Sequence, residues 1–352
     1  MKTLYVGTLD PSGTCFSRLE ALRAIEGDVH TFDTDEFLPF EERSYLARSV
    51  ERHLVSGPTY NRGNRALLAM CADLRPDLIW VDKGDWIRRS TLHQLRSLGC
   101  FLVHHITDSL YTRHARSWFR RRLMRSTRPD YDIFFTTNID DHAAIVDQVP
   151  PTALLTHLGY DDRRFDASAL SAELVERWRS EIRFIGHYER QTGEVISALC
   201  DAQVPIQVNG PGSWSRESVA AKLGDRLGGP LWGEDYVHAL KGAKIGLCVV
   251  SVINYNQTAA RSGEIPATGT FLLAIRTPQH LEMYEEGVEA EFFGDHAELI
   301  DKARYYLEHD EEREQIARRG CARARASGYS WEALMKRDWS RVRELYQARR
   351  DG

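Results

Sequence analysis

Short apolar runs that end in polar residues recur along this chain and restrict its fold more than any other feature. The run Asp77-Leu-Ile-Trp-Val-Asp-Lys83 is apolar throughout its centre. A strand with one solvent-exposed face alternates apolar and polar residues, so a continuous apolar centre predicts a strand covered on both faces. Other predicted strands are Thr3 to Gly7, Phe101 to Ile106, Tyr131 to Thr137, Arg183 to Gly186, Ile206 to Val208, Ile245 to Ile253 and Phe271 to Ala274.

Helical patterns lie between these runs. The turn Leu9 to Thr14 opens a helix that continues through Arg18 to Ile25, and a second helix ends before Pro76. Alternation of strands and helices is typical of a mostly parallel sheet with helices on its faces. The alternation restarts near residue 180, and 352 residues suit two domains of about 100–200 residues each. We therefore predict an α/β chain of two domains.

The composition narrows the class of protein. A formal net charge of −5 with 28% charged residues gives no overall basic field for nucleic acid. The six cysteines form no Cys-x-x-Cys pair, which favours free thiols in a reducing compartment over disulfides or a zinc site. No apolar run approaches the ~20 residues of a membrane span. These patterns predict a cytoplasmic protein without nucleic-acid partners.

The stretch from Asn254 to Leu273 runs from a polar loop through a short helix to an apolar strand. We predict a helix of roughly three turns that begins after the amide-rich residues and ends at Gly269. Free backbone amides at such a helix start suit a phosphate group, and Arg261 and Glu264 lie on one helix face. The alternative is an ordinary corner between a helix and a strand, with both charges solvated.

Other polar loops follow predicted strands in the same way. In the second half these are the turn at Gly186, the segment from Gly210 to Trp214 and the loop from Trp232 to Tyr236. In the first half, Gly13 and Thr14 open the first helix. The carboxyl ends of parallel strands lie at one edge of a sheet, which is where open α/β sheets bind ligands. We expect these loops to line a binding cleft.

A dense basic run covers residues 113–125 and includes Arg120, Arg121 and Arg122. Two aromatic residues, Trp118 and Phe119, are interleaved with the arginines. Such a pattern suits contact with an anionic acceptor or with the inner face of a membrane. The same pattern also describes a helix face that is simply solvated.

The second half resembles a known family in the order and spacing of its motifs over roughly residues 180 to 340. The motifs are Phe184-Ile-Gly186, Gly210 to Trp214, Trp232-Gly233, Arg261 to Gly269, Glu289 to Phe293, Glu298-Leu299, Arg304 to Leu307, Glu312-Arg313, Ile316-Ala317 and Gly320. Weaker echoes in the first half are Pro76 to Leu78, Asp108, Tyr131-Asp132 and His157 to Asp161. Together they resemble the CgeB-like branch of the group-one glycosyltransferases.

This resemblance implies the GT-B fold, in which two Rossmann-like domains face a central cleft. It implies an N-terminal acceptor domain at residues 1–160 and a C-terminal donor domain at 161–335, which binds a nucleotide-sugar. Residues 336–352 are expected to form a C-terminal helix that packs back toward the N-terminal domain. The donor, a nucleoside-diphosphate sugar, is a substrate, and no permanently bound cofactor is expected.

The resemblance also assigns donor-binding residues. Glu264 matches the glutamate that holds the ribose hydroxyls in related enzymes, and a carboxylate can accept two hydrogen bonds from a diol. Asn256 stands where many relatives carry a second glutamate. We expect Arg190 and Arg261 to bind the diphosphate together with backbone amides. The complete predicted set is Gly186, Arg190, Gly210, Trp232, Tyr236, Asn256, Gln257, Thr258, Arg261 and Glu264.

Two features of these positions leave alternatives open. Relatives often carry a lysine six residues after the first arginine, whereas Ile196 follows Arg190 here. Arg190 could equally form an ion pair with Glu194 on its own helix, since residues four apart are neighbours. The loop from Trp232 to Tyr236 is expected to stack on the base, although aromatic residues in such a loop also pack without a ligand.

The candidate catalytic residues are His104, His105 and Asp108, which lie at the end of a predicted strand. A histidine titrates near neutral pH and can remove a proton from an acceptor hydroxyl. Adjacent strand residues point to opposite faces, so at most one of the two histidines is expected to face the cleft. We expect a metal-independent enzyme, because no Asp-x-Asp motif follows a strand.

Three functions fit this sequence. The preferred one is transfer of a hexose or deoxyhexose from a nucleotide-sugar to a hydroxyl of a glycan, a lipid-linked glycan, a small molecule or a protein. The second is a GT-B sugar-nucleotide epimerase, which needs no acceptor. The third is a nucleotide-sugar-binding protein without turnover, which Asn256 and Ile196 would favour because they replace family residues.

Overall fold

The computed structural model describes residues 1–111 and 118–351. The chain divides into two compact units. Unit 1 comprises Met1–His157, Ile253–Tyr255 and Glu332–Gly352, and unit 2 comprises Leu158–Val252 and Asn256–Trp331. Within the described ranges, each unit contains one six-stranded sheet whose paired strands are all parallel. This confirms the α/β prediction.

The sheet of unit 1 has the strand order β2-β1-β3-β4-β5-β6. Its strands are β1 (Thr3–Gly7), β2 (Val29–Asp33), β3 (Leu78–Asp82), β4 (Phe101–Ile106), β5 (Ile133–Thr136) and β6 (Thr152–Leu155). Pairing of β1 with β3 places Thr3 opposite Leu78. The order changes direction between β1 and β3, which makes the carboxyl ends of these two strands the topological switch point of the sheet.

The helices of unit 1 lie on both faces of this sheet. They are α1 (Thr14–Glu26), α2 (Thr34–Phe37), α3 (Tyr45–Leu54), α4 (Pro58–Leu74), α5 (Arg89–Ser97), α6 (Trp118–Thr127), α7 (Ile139–Ile145) and most of α16 (Trp331–Asp351). The turn predicted at Leu9 to Thr14 does open a helix, as expected, and Gly13 is its N-cap.

The two faces of the first sheet bury different sets of side chains. Ile79 and Val81 of β3 point into one apolar cluster with residues of α4 and α5. Trp80 points to the other face, where its ring stacks on Phe135 at 5.4 Å and lies 6.1 Å from the ring of Trp339. Trp339 belongs to α16, and its indole Nε1 donates to Glu26 at 2.6 Å. Helix α16 is therefore part of the core of unit 1.

A buried ion pair lies at the switch point of the first sheet. Arg18 of α1 donates to both carboxylate oxygens of Asp82 at 2.6 and 2.8 Å, and the Tyr5 hydroxyl donates to the same carboxylate at 2.5 Å. Burial by itself would raise the pKa of Asp82, but Arg18, His105 and the Tyr5 hydroxyl together lower this pKa to about 2. The carboxylate is ionised at neutral pH and joins α1 to β3.

The sheet of unit 2 has the strand order β12-β11-β10-β7-β8-β9. Its strands are β7 (Ser180–Ile185), β8 (Ile206–Asn209), β9 (Leu227–Gly228), β10 (Ala243–Cys248), β11 (Phe271–Ile275) and β12 (Glu291–Phe293). Pairing of β7 with β10 places Ser180 opposite Ala243. The order reverses between these two strands, so the loops that follow β7 and β10 lie at the switch point.

Both faces of the second sheet are buried. Helices accompany the strands as α8 (Ala172–Trp178), α9 (Arg190–Asp201), α10 (Val219–Leu223), α11 (Gly233–Lys241), α12 (Arg261–Ala267), α13 (Pro278–Met283), α14 (His296–Glu308) and α15 (Asp310–Ala326). Phe271 and Leu273 of β11 contribute to one apolar cluster, and Leu272 and Ala274 contribute to the cluster on the opposite face. This alternation explains the continuous apolar run of the strand.

The structure corrects two boundaries near the predicted ligand corner. Strand β10 ends at Cys248, five residues before the predicted end at Ile253. Helix α12 begins only at Arg261 and has seven residues, fewer than the three turns expected. The residues between them form a loop instead. All six cysteines are free thiols, and four of them are buried.

Candidate functional site

The loops at the switch point of unit 2 bring several predicted donor-binding residues to one edge of the sheet. Gly186 follows β7, and its amide donates to the Asn209 carbonyl at 2.9 Å. The Gly186 carbonyl accepts from the Trp214 indole at 2.8 Å. A Cβ on Gly210 would lie 2.3 Å from the same carbonyl, so this position has no room for a side chain. The two loops therefore pack backbone to backbone beside β7.

Glu264 and Tyr236 form the centre of the site. Glu264 lies in α12 and is buried, and the Tyr236 hydroxyl from α11 donates to its Oε2 at 2.6 Å. Burial raises the pKa of Glu264, although Tyr236 and then Arg261 act in the opposite direction. The Tyr236 hydroxyl fixes one oxygen of the carboxylate, and stacking of the loop from Trp232 to Tyr236 on the base stays a prediction. The other oxygen remains able to accept hydrogen bonds from a ligand.

Arg261 lies one helical turn before Glu264. Its guanidinium carbon sits 5.1 Å from the ring centroid of Phe184, and its NH2 group donates to the Val249 carbonyl at 3.3 Å. A Cβ on Gly186 would lie 3.1 Å from NH1 of this arginine. The cation of α12 thus approaches the backbone of the turn after β7, which glycine makes possible.

Several buried polar atoms of this edge have no hydrogen-bond partner within residues 1–111 and 118–351. Gln257 contributes Oε1 and Arg261 contributes Nε. Glu189 and Gln191, at the start of α9, contribute Oε2 and Oε1. Buried polar groups are nearly always paired, and an exception needs an explanation such as a missing ligand or solvent. Four such atoms, from the segments that follow β7 and β10 and the helix starts after them, indicate a polar binding region.

The remaining donor-binding candidates occupy different environments. Thr258 is buried, and the Asn256 amide donates to the Ser251 carbonyl at 3.0 Å, which closes the loop after β10. Trp232 is 67% exposed at the N-cap of α11. The Arg190 side chain is 91% exposed and donates to Glu194 at 2.9 Å. The structure therefore places Arg190 in the ion pair that the sequence offered as its alternative role.

A buried serine–histidine pair holds the start of α12, and sequence reasoning missed it. Ser262 Oγ lies 2.7 Å from His280 Nε2, while His280 Nδ1 donates to the Ile275 carbonyl at 2.7 Å. Ser262 Oγ also accepts from the Ala259 amide at 3.0 Å. Burial lowers the pKa of His280 to about 4, so the ring is neutral at physiological pH. The pair positions the helix that carries Arg261 and Glu264.

In unit 1, both candidate histidines are buried. His104 Nε2 donates to the Lys83 carbonyl at 2.7 Å and its ring stacks on Tyr131 at 4.5 Å. His105 Nδ1 lies 3.9 Å from Asp82. Burial lowers the pKa of His104 to about 4 and that of His105 to about 3. Both rings are buried because β4 lies between two strands and is covered on both faces. A catalytic role for either histidine stays a prediction.

The other candidates in unit 1 are more accessible. The Asp108 side chain is about half exposed, accepts from Asn254 at 3.3 Å and lies 3.8 Å from Lys83 Nζ. Gly13 precedes α1, and its amide donates to the Asp10 carbonyl at 2.8 Å. Thr14 is the first residue of that helix. Of the three catalytic candidates, Asp108 is therefore the one that solvent reaches, since His104 and His105 are buried.

The basic run is only partly within the described residues, because residues 112–117 lie outside them. Arg120 of α6 pairs with the buried Asp85, and Arg121 is itself buried. Arg122 is exposed, and its guanidinium lies 5.3 Å from the ring centroid of Trp118. Of the three arginines predicted to contact an acceptor or a membrane, Arg122 is therefore the most accessible.

Burial of neutral histidines predicts a pH dependence of folding. A histidine in the unfolded chain has a pKa near 6.5, whereas the pKa of His280 in the folded chain is about 4. The free energy that the neutral ring contributes to folding is therefore fully present above pH 6.5 and is lost as the pH falls toward 4. Each such histidine contributes a slope of about 1.4 kcal/mol per pH unit. Urea unfolding between pH 7 and 4 should show this decline, and His280→Gln should make it shallower.

The exposed His296 provides the matched control for that measurement. His296→Gln is expected to leave the slope unchanged. A wild-type free energy of unfolding that stays constant between pH 7 and 4 would contradict the protonation states assigned to the three buried rings.

The comparisons with known proteins agree with this geometry. Residues 190–337, fewer than half of the chain, match the model of a family described as glycosyl transferase-like. This segment contains Arg261, Glu264 and Tyr236. No curated protein gives a significant match.

Solved structures match along nearly the whole chain. Sucrose-phosphate synthase from Thermosynechococcus elongatus is 16% identical, with a TM-score of 0.70 over 99% of this chain and 100% of that one. HepE from Anabaena in complex with UDP-glucose is 12% identical, with a TM-score of 0.69 over 98% and 100%. A structure from Listeria monocytogenes that is described as a UDP-N-acetylglucosamine 2-epimerase is 16% identical, with a TM-score of 0.63 over 99% of this chain and 97% of that one. These similarities confirm the GT-B fold.

Proposed function

We propose that this chain is a glycosyltransferase that uses a nucleoside-diphosphate sugar, with the donor bound in unit 2. The observation that carries the proposal is the grouping of Glu264, Tyr236 and Arg261 at the switch point, beside buried polar atoms without partners. The match of residues 190–337 to a glycosyl transferase-like family supports it. HepE, a structural neighbour, was solved in complex with UDP-glucose, which makes UDP-sugars the first donors to test.

Each donor group has a proposed partner in unit 2. The open oxygen of Glu264 accepts hydrogen bonds from the ribose diol. Arg261 and the backbone amides near Gly186 and Thr258 bind the diphosphate. We keep Arg190 as a second diphosphate ligand, which requires it to leave its exposed ion pair with Glu194. Gly210, Trp232, Asn256 and Gln257 complete the proposed donor-binding set.

The proposed reaction transfers a hexosyl or deoxyhexosyl group. An acceptor hydroxyl oxygen forms the new bond to the anomeric carbon, and the bond from that carbon to the diphosphate oxygen breaks. The nucleoside diphosphate leaves with the bonding electrons, and Arg261 stabilises its charge. The hydroxyl proton goes to a base or to the leaving group. We propose a metal-independent mechanism in which arginine and backbone amides supply the positive charge.

We assign acceptor binding to unit 1, together with Gly13 and Thr14. Of the proposed catalytic residues, Asp108 is the best placed to accept a proton because solvent reaches it, whereas His104 and His105 are buried. The acceptor is a glycan, a lipid-linked glycan, a small molecule or a protein hydroxyl. We also propose that the chain belongs to the CgeB-like branch and that it is located in the cytoplasm.

The test is acceptor-dependent release of nucleoside diphosphate. A thermal-shift screen with UDP, GDP, TDP and CMP first identifies the nucleotide, since a ligand at 100 times its Kd stabilises the folded state by about 2.7 kcal/mol. Turnover with the matching sugar nucleotide is then followed with glycan acceptors, in buffer with and without EDTA. We expect release only with an acceptor, and unchanged release in EDTA.

Two other outcomes would redirect the proposal. Conversion of the donor without an acceptor would favour a sugar-nucleotide epimerase, the function named for the neighbour from Listeria monocytogenes. Nucleotide binding without release under any condition would favour a binding protein. If Glu264→Ala and Arg261→Ala left both binding and turnover unchanged, the proposed site would be wrong.

A further inference from the structure

Helix α3 of unit 1 buries a glutamate and leaves apolar side chains exposed to solvent. Glu51 is buried, accepts from the Thr59 amide at 3.1 Å and pairs with Arg43 at 3.0 Å. Three apolar residues of the same helix lie at the surface: Leu46 is 75%, Val50 is 56% and Leu54 is 43% exposed. Residues four apart lie on the same helix face, so these three form one apolar ridge along the outside of the helix.

This arrangement is the reverse of an ordinary surface helix, which buries its apolar stripe against the core. Single exposed apolar residues are common, but contiguous apolar surface indicates a place where the protein binds another surface. The ridge has a structural reason to remain outside, because the inner face of α3 is fixed by the ion pair of Glu51.

The apolar surface continues onto α6. The Phe119 ring lies 5.5 Å from the ring of His53, one residue before Leu54 in α3. Phe119 is 37% and its neighbour Trp118 is 45% exposed. We call Leu46, Val50, Leu54, Trp118 and Phe119 the α3–α6 surface. It combines an aliphatic ridge with aromatic side chains of the kind that sit at a membrane–water boundary.

Positive charge borders this surface. Helix α6 contains Arg120, Arg121, Arg122 and Arg125 and no acidic residue, in a chain of net charge −5. Arg122 and Arg125 are exposed, and their guanidiniums lie over the rings of Trp118 and Tyr111 at 5.3 and 5.9 Å. Exposed arginines beside exposed apolar groups complement a surface that is both apolar and anionic.

We propose that the α3–α6 surface docks on an anionic lipid bilayer. A bilayer accepts the apolar ridge below its headgroups while the lipid phosphates pair with Arg122 and Arg125. The contact is peripheral: within the described parts of the chain, no helix has the length and apolar composition to cross a membrane. This docking is separate from the chemistry proposed for unit 2.

Co-sedimentation of the full chain with vesicles tests this proposal. We expect sedimentation with vesicles of phosphatidylcholine and phosphatidylglycerol, and little with phosphatidylcholine alone. Leu46→Ser with Val50→Ser should reduce the partition coefficient about tenfold or more, because two apolar side chains no longer leave water. Arg122→Gln with Arg125→Gln should reduce it about tenfold at low salt, and raised salt should weaken wild-type binding.

Matched variants separate this surface from general effects. Leu98→Ser with Leu281→Ser removes two exposed apolar residues elsewhere, and Arg318→Gln with Arg319→Gln removes two exposed charges of α15. Both pairs should sediment like the wild type. Nucleotide thermal shifts should be the same in the ridge variant and the wild type, so failure of the docking proposal is distinguishable from failure of the donor site.

Three results would overturn the proposal. The first is no sedimentation with phosphatidylglycerol vesicles. The second is sedimentation that the ridge and arginine variants leave unchanged. The third is a concentration-dependent dimer, seen by light scattering, that Leu46→Ser with Val50→Ser abolishes while vesicles remain unbound, which would assign the surface to a second copy of the chain.

Discussion

Glu264→Ala is expected to weaken binding of the nucleotide by about a hundredfold. The proposed role of Glu264 is to accept two hydrogen bonds from the ribose diol, and bonds to a charged group are worth about 1.5–3 kcal/mol each. Isothermal titration calorimetry with the nucleotide identified by thermal shift measures this change. Turnover should fall at least as much, because the donor is no longer held.

Two variants make that result specific. Glu264→Gln keeps an oxygen for the Tyr236 hydroxyl, which now donates at 2.6 Å, but loses the negative charge, so we expect an intermediate loss of affinity. Glu282→Ala removes an exposed acidic residue of unit 2 and should bind like the wild type. An affinity within twofold of wild type for Glu264→Ala, with intact circular dichroism, would remove this residue from the donor site.

Asp82→Ala is expected to destabilise unit 1 by about 3–5 kcal/mol. The substitution leaves the Arg18 guanidinium buried without its carboxylate, and an uncompensated buried charge carries a penalty of this size. It also removes the acceptor of the Tyr5 hydroxyl. Urea unfolding followed by tryptophan fluorescence measures the loss at neutral pH.

Replacing both partners distinguishes a buried charge from a lost contact. Arg18→Met with Asp82→Leu removes both charges and should recover most of the stability, because well-packed apolar residues often replace a buried ion pair without loss. The exposed Asp73 is the control, since surface substitutions usually change stability by less than about 0.5 kcal/mol. A loss below about 1 kcal/mol for Asp82→Ala would show that the pair contributes little to folding.

The predicted strands succeeded where the local pattern was strong. Strand β4 has the predicted bounds Phe101–Ile106, because six residues buried on both faces form a nearly continuous apolar run. Strand β2 (Val29–Asp33) was missed, since an edge strand with three half-buried positions has no such run. Helix α12 was predicted too long because the amide-rich loop before Arg261 resembles a helix start but is closed by its own backbone contacts.

The donor site was predictable only in part. Arg261 and Glu264 are close in the sequence, so helical spacing places them on one face. The hydroxyl that donates to Glu264 belongs to Tyr236, 28 residues earlier in the chain. The ring beside Arg261 belongs to Phe184 of β7. The hydrogen-bond and ring partners of His104 also come from distant residues, Lys83 and Tyr131, which the sequence pattern does not identify. Contacts between residues that are far apart in the sequence depend on the order of the strands, so they are known only once the fold is known.

Helix α16 has a consequence for the synthesis of this protein. Unit 1 consists mainly of the first 157 residues, yet Trp339 closes its core against Trp80, and Asp338 accepts from Thr156 at 2.6 Å. During translation, unit 2 can finish folding while unit 1 still exposes the Trp80 face of its sheet. A truncated chain that ends at residue 157 therefore contains an incomplete unit 1. Unit 1 can be prepared separately only if residues 332–351 are joined to residues 1–157.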